Sequence, residues 1–364
     1  MKILLTGAFG NVGSSTLKEL VKRDHFIRCF DIPNKRNKKK ARKFQRFKDK
    51  VEIYWGDLRN PDDVENAVSG MEIVIHLGAI IPPLANERPE LAEPVNVGGT
   101  KNIISAIKKQ SPQPKLVFSS SVAVFGDVRD KGCNHIIQID DEFNPSPHDE
   151  YARMKIKCEK MIKDSDIEWA IFRFAAIPPV DLKVDPIMFD VPLDTPIEFC
   201  HTHDTGLAMA NTVGNQEIWG RIFNIAGGPA CRVPYHEYVG RLLDSLGIGR
   251  LPEEAFGDEP FHCGYMDTTE SQRILNYQQH TFDDLVNETK KRLGIARIFT
   301  IILRPTIRWL LLKKSSYYQA YMKSIKQYLK GQTKLPRTKS KTTSENSEKT
   351  KKKTVKPKPR KTGS

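Results

Sequence analysis

The chain has 364 residues, 39% of them hydrophobic, enough to bury one large core or two modest ones. Its six cysteines, Cys29, Cys133, Cys158, Cys200, Cys231 and Cys263, are scattered with no C-x-x-C pair, which argues against a disulfide framework or a cysteine zinc site and points to a reducing, cytoplasmic setting. The net charge of +14 is localised: residues 295–331 hold eight Lys/Arg and no acid, 332–364 hold twelve Lys/Arg and two Glu, and residues 1–294 are left mildly acidic, so any membrane or nucleic-acid argument rests on the C-terminal appendage.

The apolar run that begins at Ile3 stops at Gly7, which reads as a buried strand and not as a secretory leader. Gly7, Gly10 and Gly13 follow at intervals of three, and Leu17, Leu20 and Val21 then fall at helical spacing. Strand, glycine turn and helix start make a phosphate cradle. Gly7 allows the tight turn, Gly10 lets a pyrophosphate approach the backbone, Gly13 lets helix and strand pack closely, and the positive end of the helix faces the anion. His25 to Asp31 reads as a second strand ending in an acid, about twenty residues on. An acid there can bond both ribose hydroxyls of an adenosine and repels a 2′-phosphate, which favours NAD. Lys35 to Lys50 carries ten basic residues and one acid, which reads as a solvated helix face. It starts near the place of a 2′-phosphate, so NADP stays as the alternative.

Val51–Trp55, Ile73–Leu77 and Leu116–Ser119 read as further strands, and Asn96 to Lys109 as a helix with apolar spacing at Val97, Ile103, Ile104 and Ile107. Strands alternating with helices at this spacing imply an α/β protein with a doubly wound parallel sheet. The strand ending Ser119-Ser120-Ser121 is followed thirty residues later by Tyr151-Ala-Arg-Met-Lys155. Tyr151 and Lys155, four apart on a helix, share a face. An ammonium beside a phenol favours the phenolate and is expected to lower its pKa toward the working range, so that Tyr151 can give or take a proton at a carbonyl or alcohol oxygen. A nearby serine can hold that oxygen.

Together these stretches resemble an extended short-chain dehydrogenase/reductase of the NAD-dependent epimerase/dehydratase family. The resemblance runs from Met1 to about Gly294. It is carried by Thr6-Gly-Ala-Phe-Gly-Asn-Val-Gly13, Gly56-Asp57-Leu58, His76-Leu-Gly-Ala79, Asn96-Val-Gly-Gly-Thr100, Ser119 to Gly126 and Tyr151-x-x-x-Lys155, and further on by Arg173, His201-Thr-His-Asp204, Phe223 to Gly228 and Asp267 to Leu275. It implies a Rossmann-type domain over residues 1–175, with a smaller substrate-binding region, 176–294, interleaved at the sheet edge. It also implies hydride transfer between the nicotinamide and an alcohol or ketone carbon. Tyr151 would be the acid/base, Lys155 would hold the nicotinamide ribose and tune the tyrosine, and Ser121 would bond the reacting oxygen. Gly7, Phe9, Gly10, Asn11, Val12 and Gly13 would cradle the cofactor, with Asp31 at its ribose. Asp57 and Leu58 would sit by the adenine, and Leu77, Gly78, Ala79, Ile80 and Ser119 would line the rest. A homodimer through the helix bearing Tyr151 is also implied.

Three departures narrow the reaction. Dehydratases of the family place an Asp-Glu pair after the catalytic hydroxyl residue, whereas Ser121 is followed by Val122-Ala123, which cannot move a proton. Epimerases of the family clamp a substrate pyrophosphate with arginines and an asparagine, where this chain has Ile197, Glu254-Ala255-Phe256 before Gly257-Asp258, and Ala176. Arginine–phosphate contacts are hard to replace, so a substrate without a nucleotide diphosphate is expected. Ile80-Ile81-Pro82-Pro83-Leu84, Ile177-Pro178-Pro179, Val180 and Met188-Phe189 would give an apolar wall, leaning toward a less polar alcohol or ketone. A nucleotide-sugar 4-epimerase with bound NAD is the alternative, and a membrane-tethered, cofactor-binding scaffold or sensor is the alternative of another class. His201, His203 and Asp204 lack a third ligand and an outer shell, so no metal is expected.

In the appendage, residues 295–312 are rich in Ile, Leu, Phe and Trp but interrupted by Arg297, Arg304, Pro305 and Arg308, which disfavours a membrane span. The arginines form one helical stripe with Phe299, Ile302, Leu303 and Leu310 mostly opposite. That pattern fits a basic amphipathic helix, 295–331, on an anionic membrane surface, or equally a helix packed on the body or a second subunit. Residues 332–364, Lys/Thr/Ser/Pro-rich, are expected to be a disordered tail. Nucleic acid is not an expected partner. The cytoplasm, with peripheral attachment to the inner membrane face, is the expected location.

Overall fold

Ile3, Leu4 and Leu5 are buried on both faces, as a central strand of a parallel sheet must be. The computed structural model describes residues 1–132, 134–178 and 185–331. Its first half runs β1 (Lys2–Thr6), α1 (Asn11–Leu20), β2 (Phe26–Asp31), α2 (Lys35–Ala41), β3 (Val51–Trp55), α3 (Pro61–Val68) and β4 (Ile73–His76). Short helices α4 (Leu84–Glu87) and α5 (Pro89–Glu93) lead to α6 (Gly99–Lys108), β5 (Lys115–Ser121), the two-residue β6 (Ile136–Ile137), α7 (Glu150–Lys163) and β7 (Trp169–Phe174). The second half holds β8 (Pro196–Glu198), α8 (Thr202–Asn211), β9 (Arg221–Ile225), β10 (Arg232–Pro234), α9 (Tyr235–Ser245), β11 (Tyr265–Met266), α10 (Thr269–Leu275) and α11 (Phe282–Leu293). Helices α12 (Ala296–Ile302), α13 (Arg304–Leu312) and α14 (Ser316–Leu329) close the described chain.

The main sheet has seven strands in the order β3-β2-β1-β4-β5-β7-β9, every neighbouring pair parallel. Alternate side chains feed two cores. Ile3, Leu5, Ile27, Cys29 and Val117 enter one, and Leu4, Phe30, Val74, Leu116 and Phe118 enter the other. The winding reverses between β1 and β4, so the glycine turn after β1 sits at the topological switch point, where α/β sheets bind ligands.

The helix expected from Asn96 is present, but its first turn is not α-helical. Pro94–Gly98 forms a π turn and α6 starts at Gly99. Pro94 brings no N–H to an α-helical ladder, and Asn96 is turned to clamp Ile80, with its Nδ2 donating to Ile80 O and its Oδ1 accepting from Ile80 N–H, both at 2.8 Å. Past residue 175 the chain returns to the sheet. It adds β9 at the edge and lays α8 on α1, where a Cβ on Gly206 would lie 2.6 Å from Ser15. A smaller lobe forms its own core around Phe189, Tyr235, Val239, Leu243 and Phe256. Phe189, expected on a pocket wall, is buried there against Phe256 and is a packing residue. Met188 also packs against this core. Pro179 and Val180 lie outside the described residues, as do Cys133 and the tail from residue 332.

The appendage folds as three helices held by the arginine stripe. Arg297 Nε donates to Ser245 O at 2.9 Å, Arg304 Nε to Ile248 O at 2.8 Å, and Arg308 Nη1 to Ile248 O and Gly249 O at 3.2 Å each. These carbonyls at the end of α9 and just past it have no helical N–H to meet them, so the guanidinium groups cap α9. The stripe therefore faces the body, not a lipid headgroup. Ile298 and Phe299, with Ile302, Leu303 and Trp309, remain half or more exposed. Leu311 turns inward, at 7% exposure, into the core of the smaller lobe, and Ser315 Oγ donates to Ala255 O at 2.6 Å. None of the described helices is long and apolar enough to cross a membrane.

Candidate active site

The glycine turn is sterically committed to an open cradle. Gly7 has φ +63°, and a Cβ there would sit 2.8 Å from Gly78 Cα. A Cβ on Gly13 would sit 2.1 Å from Gly7 O, so helix α1 can approach the turn only without one. Gly10 caps α1 in extended conformation. The backbone N–H of Phe9 donates to Asp31 Oδ2 at 2.9 Å, and Oδ1 takes Ile32 N–H at 2.9 Å and Asn37 Nδ2 at 2.8 Å. The carboxylate at the end of β2 is thus fixed beside the turn. Burial raises its pKa, and the Phe9 and Ile32 N–H groups pull it back. Most of the basic stretch at Lys35–Lys50 points to solvent, but Lys40 Nζ donates to Phe9 O at 2.7 Å and Gly10 O at 3.2 Å.

Several residues expected to line the cofactor instead build its frame. Phe9 is buried in the core, and Val12 and Leu77 pack against it. Leu58 is buried beneath Gly78 and Gly99, so it supports the groove floor and does not face it. Asp57 borders a surface groove with Ile32, Asn34, Trp55 and Gly56, and pairs with Arg59, which holds its carboxyl below the usual range. Asn11 Nδ2 donates to Thr202 Oγ1 at 3.2 Å, joining the turn to α8. Thr6 Oγ1 accepts the N–H groups of Leu77 at 3.2 Å and Gly78 at 3.1 Å, which sets the loop carrying Ala79 and Ile80. The same hydroxyl lies 2.7 Å from His76 Nδ1. Burial depresses the His76 pKa to about 3, so it is a neutral strut.

Ser121 ends β5, and Tyr151 and Lys155 face it from α7. Tyr151 is 8% exposed, packs with Ile80, Ala85 and Ala123, and is hydrogen bonded to Ser121. Lys155 Nζ donates to Ser119 O at 2.6 Å and lies 5.7 Å from the centre of the Tyr151 ring. Ser119 itself is pinned, its Oγ donating to His76 O at 3.1 Å. The expected lowering of the phenol pKa is not what this environment produces. Burial raises it well above its ordinary value, with the Ser121 hydrogen bond acting in the opposite direction. Burial also depresses Lys155 to about 8. Desolvation dominates at both groups.

Other supporting residues carried no pattern in the sequence. Asp149 caps α7 through Ala152 N–H at 3.0 Å and is contacted by His262, while Asn86 Oδ1 accepts Tyr151 N–H at 2.9 Å. The cap was legible as an Asp before a helix; Asn86 and His262 come from distant segments. A cavity of about 770 Å³ in the smaller lobe is lined by Leu243, Leu251, Phe256 and two arginines that the sequence pattern did not single out, Arg129 and Arg250. Arg129 is already engaged by Asp127 and Asp194. Ile81 and Leu84 are exposed, and Ile177 packs on the sheet core. A third imidazole, His280, joins His201 and His203, supplying the ligand the sequence pattern lacked.

The arrangement fits a dinucleotide: a turn too tight for a Cβ at Gly7 or Gly13, a fixed carboxylate beside it, and half-buried Ser121 with buried Tyr151 and Lys155 at the adjoining strand. Comparison with known proteins points the same way. The sequence model of the 3-beta hydroxysteroid dehydrogenase/isomerase family matches residues 4–169. A 3 beta-hydroxysteroid dehydrogenase/Delta 5-->4-isomerase of Mycobacterium tuberculosis is 28% identical over 166 residues, 44% of this chain and 42% of that protein. The mouse (Mus musculus) decarboxylating sterol-4-alpha-carboxylate 3-dehydrogenase is 26% identical over 267 residues, 67% of this chain and 68% of its own. The chain thus spans about two-fifths of the length of the mycobacterial relative. Among solved structures, a double mutant of dTDP-glucose 4,6-dehydratase from Streptomyces venezuelae with NAD bound superposes with TM-score 0.67 at 18% identity, covering 82% of this chain and 98% of that one. UDP-glucuronic acid 4-epimerase from Bacillus cereus, with UDP-glucuronic acid and NAD, gives 0.65 at 18% identity, covering 80% and 100%.

Proposed function

We propose that the chain is an extended short-chain dehydrogenase/reductase of the NAD-dependent epimerase/dehydratase type, an NAD-dependent oxidoreductase acting on an alcohol or ketone with Tyr151 as acid/base; the matching family model, the sterol-dehydrogenase relative and the shared fold support that reading. The observation that carries this reading is the buried Tyr151 hydrogen bonded to Ser121 beside the loop from β4, with the buried Lys155 fixed on Ser119 O one helical turn away. NAD, when bound, supplies the hydride acceptor or donor. Gly7, Gly10 and Gly13 would hold its phosphates at the start of α1, and Asp31 would take its adenine ribose. Tyr151, with its raised pKa, holds a proton ready for a substrate oxygen, and Ser121 keeps that oxygen in reach. Lys155 stays mostly protonated at neutral pH and steadies Ser119 and the phenol. Val122 and Ala123 offer no proton to eliminate water.

The relatives with hydroxysteroid and sterol names, and the absent arginines at Ile197 and Phe256, favour an apolar secondary alcohol. Arg129 and Arg250 at the cavity of the smaller lobe favour a second reading, a nucleotide sugar epimerised with tightly held NAD. Thermal melting against sterol alcohols, small ketones and UDP-sugars, followed by turnover, separates the two. The first reading requires added cofactor and stoichiometric NADH. Turnover of a UDP-sugar without added cofactor replaces it with the second.

The same reading places the enzyme on the cytoplasmic face of an anionic membrane, through the outward apolar side of α12 and α13 and the lysines of residues 313–364. Co-sedimentation with phosphatidylserine vesicles tests this, and a chain that stays in the supernatant ends it. Homodimerisation through α7 rests on the family resemblance, and a monomer in sedimentation equilibrium would remove it.

A further inference from the structure

Away from the groove, three imidazoles meet where α8 starts. His201 is the N-cap of α8, His203 lies in its first turn, and His280 sits just ahead of α11. One ring nitrogen from each lies within 4.8 Å of the other two. The His201 and His280 rings stack at 4.3 Å, and His203 stands edge-on to both, at 4.9 Å and 5.8 Å.

Two carboxylates stand behind the rings. Asp204 accepts from Gln279 N–H at 3.0 Å, from His280 N–H at 2.9 Å and from His280 Nδ1 at 2.5 Å. That contact fixes the Nδ1–H tautomer and leaves Nε2 as the lone-pair atom, the arrangement by which proteins orient a metal-ligating histidine. Glu288 Oε2 lies 3.0 Å from His201 Nε2, and its other oxygen meets Arg292 at 3.1 Å. The two carboxylates supply negative charge that a dication would balance.

We propose that His201, His203 and His280 form a site for one divalent transition-metal cation of the imidazole-preferring class, zinc, cobalt or nickel, which ties the start of α8 to the segment entering α11. Bonds of about 2.0–2.1 Å would draw the three nitrogens closer together, and the rings of His203 and His280 are only half-buried. For His201 to bind through Nε2, its proton moves to Nδ1. That gives up both the 3.0 Å Nε2–H bond to Glu288 and the 3.3 Å contact with His203 N–H. Glu288, no longer accepting that proton, turns to the fourth position. The role is structural: the cluster joins α8 to the segment before α11 and lies outside the Ser121–Tyr151–Lys155 group.

The test uses the full chain, stripped with a chelator and titrated with Co(II). The expected result is one equivalent bound, with visible ligand-field bands that Zn(II) bleaches and a rise in melting temperature. The double variant His203→Gln/His280→Gln should lose the bands and the rise while its metal-free far-ultraviolet dichroism and melt match the parent. No Co(II) uptake by the parent, or equal uptake by a folded double variant, overturns the site. If the double variant does not fold, His203→Gln alone is the arbiter, with weakened uptake expected and unchanged uptake contradicting the site.

Discussion

The sheet that carries the glycine turn and the helices that end the described chain solve opposite problems. In the sheet, Leu4, Val74, Phe118 and Ile171 are buried, and the charged group that a strand does bury, Arg173, is paired with buried Glu159. In α12 and α13 the polarity is inverted: Arg297, Arg304 and Arg308 dock inward on carbonyls, and Phe299, Ile302 and Leu303 face out at 62%, 68% and 54% exposure. The first arrangement is what folding alone requires. The second leaves apolar surface uncovered among the described residues.

The largest effect that sharpens this contrast falls in the sheet. Gly13→Val puts atoms where Gly7 O already sits, so the turn must open. NAD binding measured by calorimetry should be lost with a drop in melting temperature, whereas NAD binding at parental affinity would mean the turn is not the cradle. In the appendage, Phe299, Ile302 and Leu303 changed together to Ser should leave the melt nearly unchanged and cut vesicle binding at least ~100-fold, since each side chain contributes about 1.5–3 kcal/mol when buried. Equal binding would detach that face from the membrane. Arg308→Ala removes charged hydrogen bonds to Ile248 and Gly249 and should loosen α13 by about 1.5–3 kcal/mol, read as faster hydrogen exchange over residues 304–312 with the sheet unaffected.

A smaller, pH-dependent effect returns to the sheet. His76 has a folded pKa of about 3 against about 6.5 unfolded, so its contribution is whole above about pH 6.5 and is lost as pH falls toward 3. The slope reaches about 1.4 kcal/mol per pH unit, because the unfolded chain binds the extra proton. Urea melts of His76→Gln should lose that part of the slope. An unchanged slope would place acid sensitivity elsewhere.

The comparison also explains what could be read in advance. Apolar runs, glycine spacing and the Tyr151–Lys155 interval are local, so the strands, the turn and the shared helix face follow from them. The stripe of Arg297, Arg304 and Arg308 was equally legible, but its direction was not. Which side faces in depends on the uncapped carbonyls after α9, some fifty residues earlier. Leu58 misled for a related reason: its place beneath Gly78 and Gly99 is a long-range packing fact that a short motif does not contain. The Tyr151 phenol was misjudged because an interval on a helix reports direction and not burial. His280, 76 positions from Asp204, reaches its partners only through the fold.

The central claim is that Tyr151 moves the proton beside bound NAD. The direct measurement is turnover of Tyr151→Phe on whichever alcohol or ketone the parent accepts, alongside NAD affinity by calorimetry. The account predicts a loss of about 10²–10⁴-fold in kcat with NAD affinity nearly intact. Parental turnover in a variant that still binds NAD would contradict it.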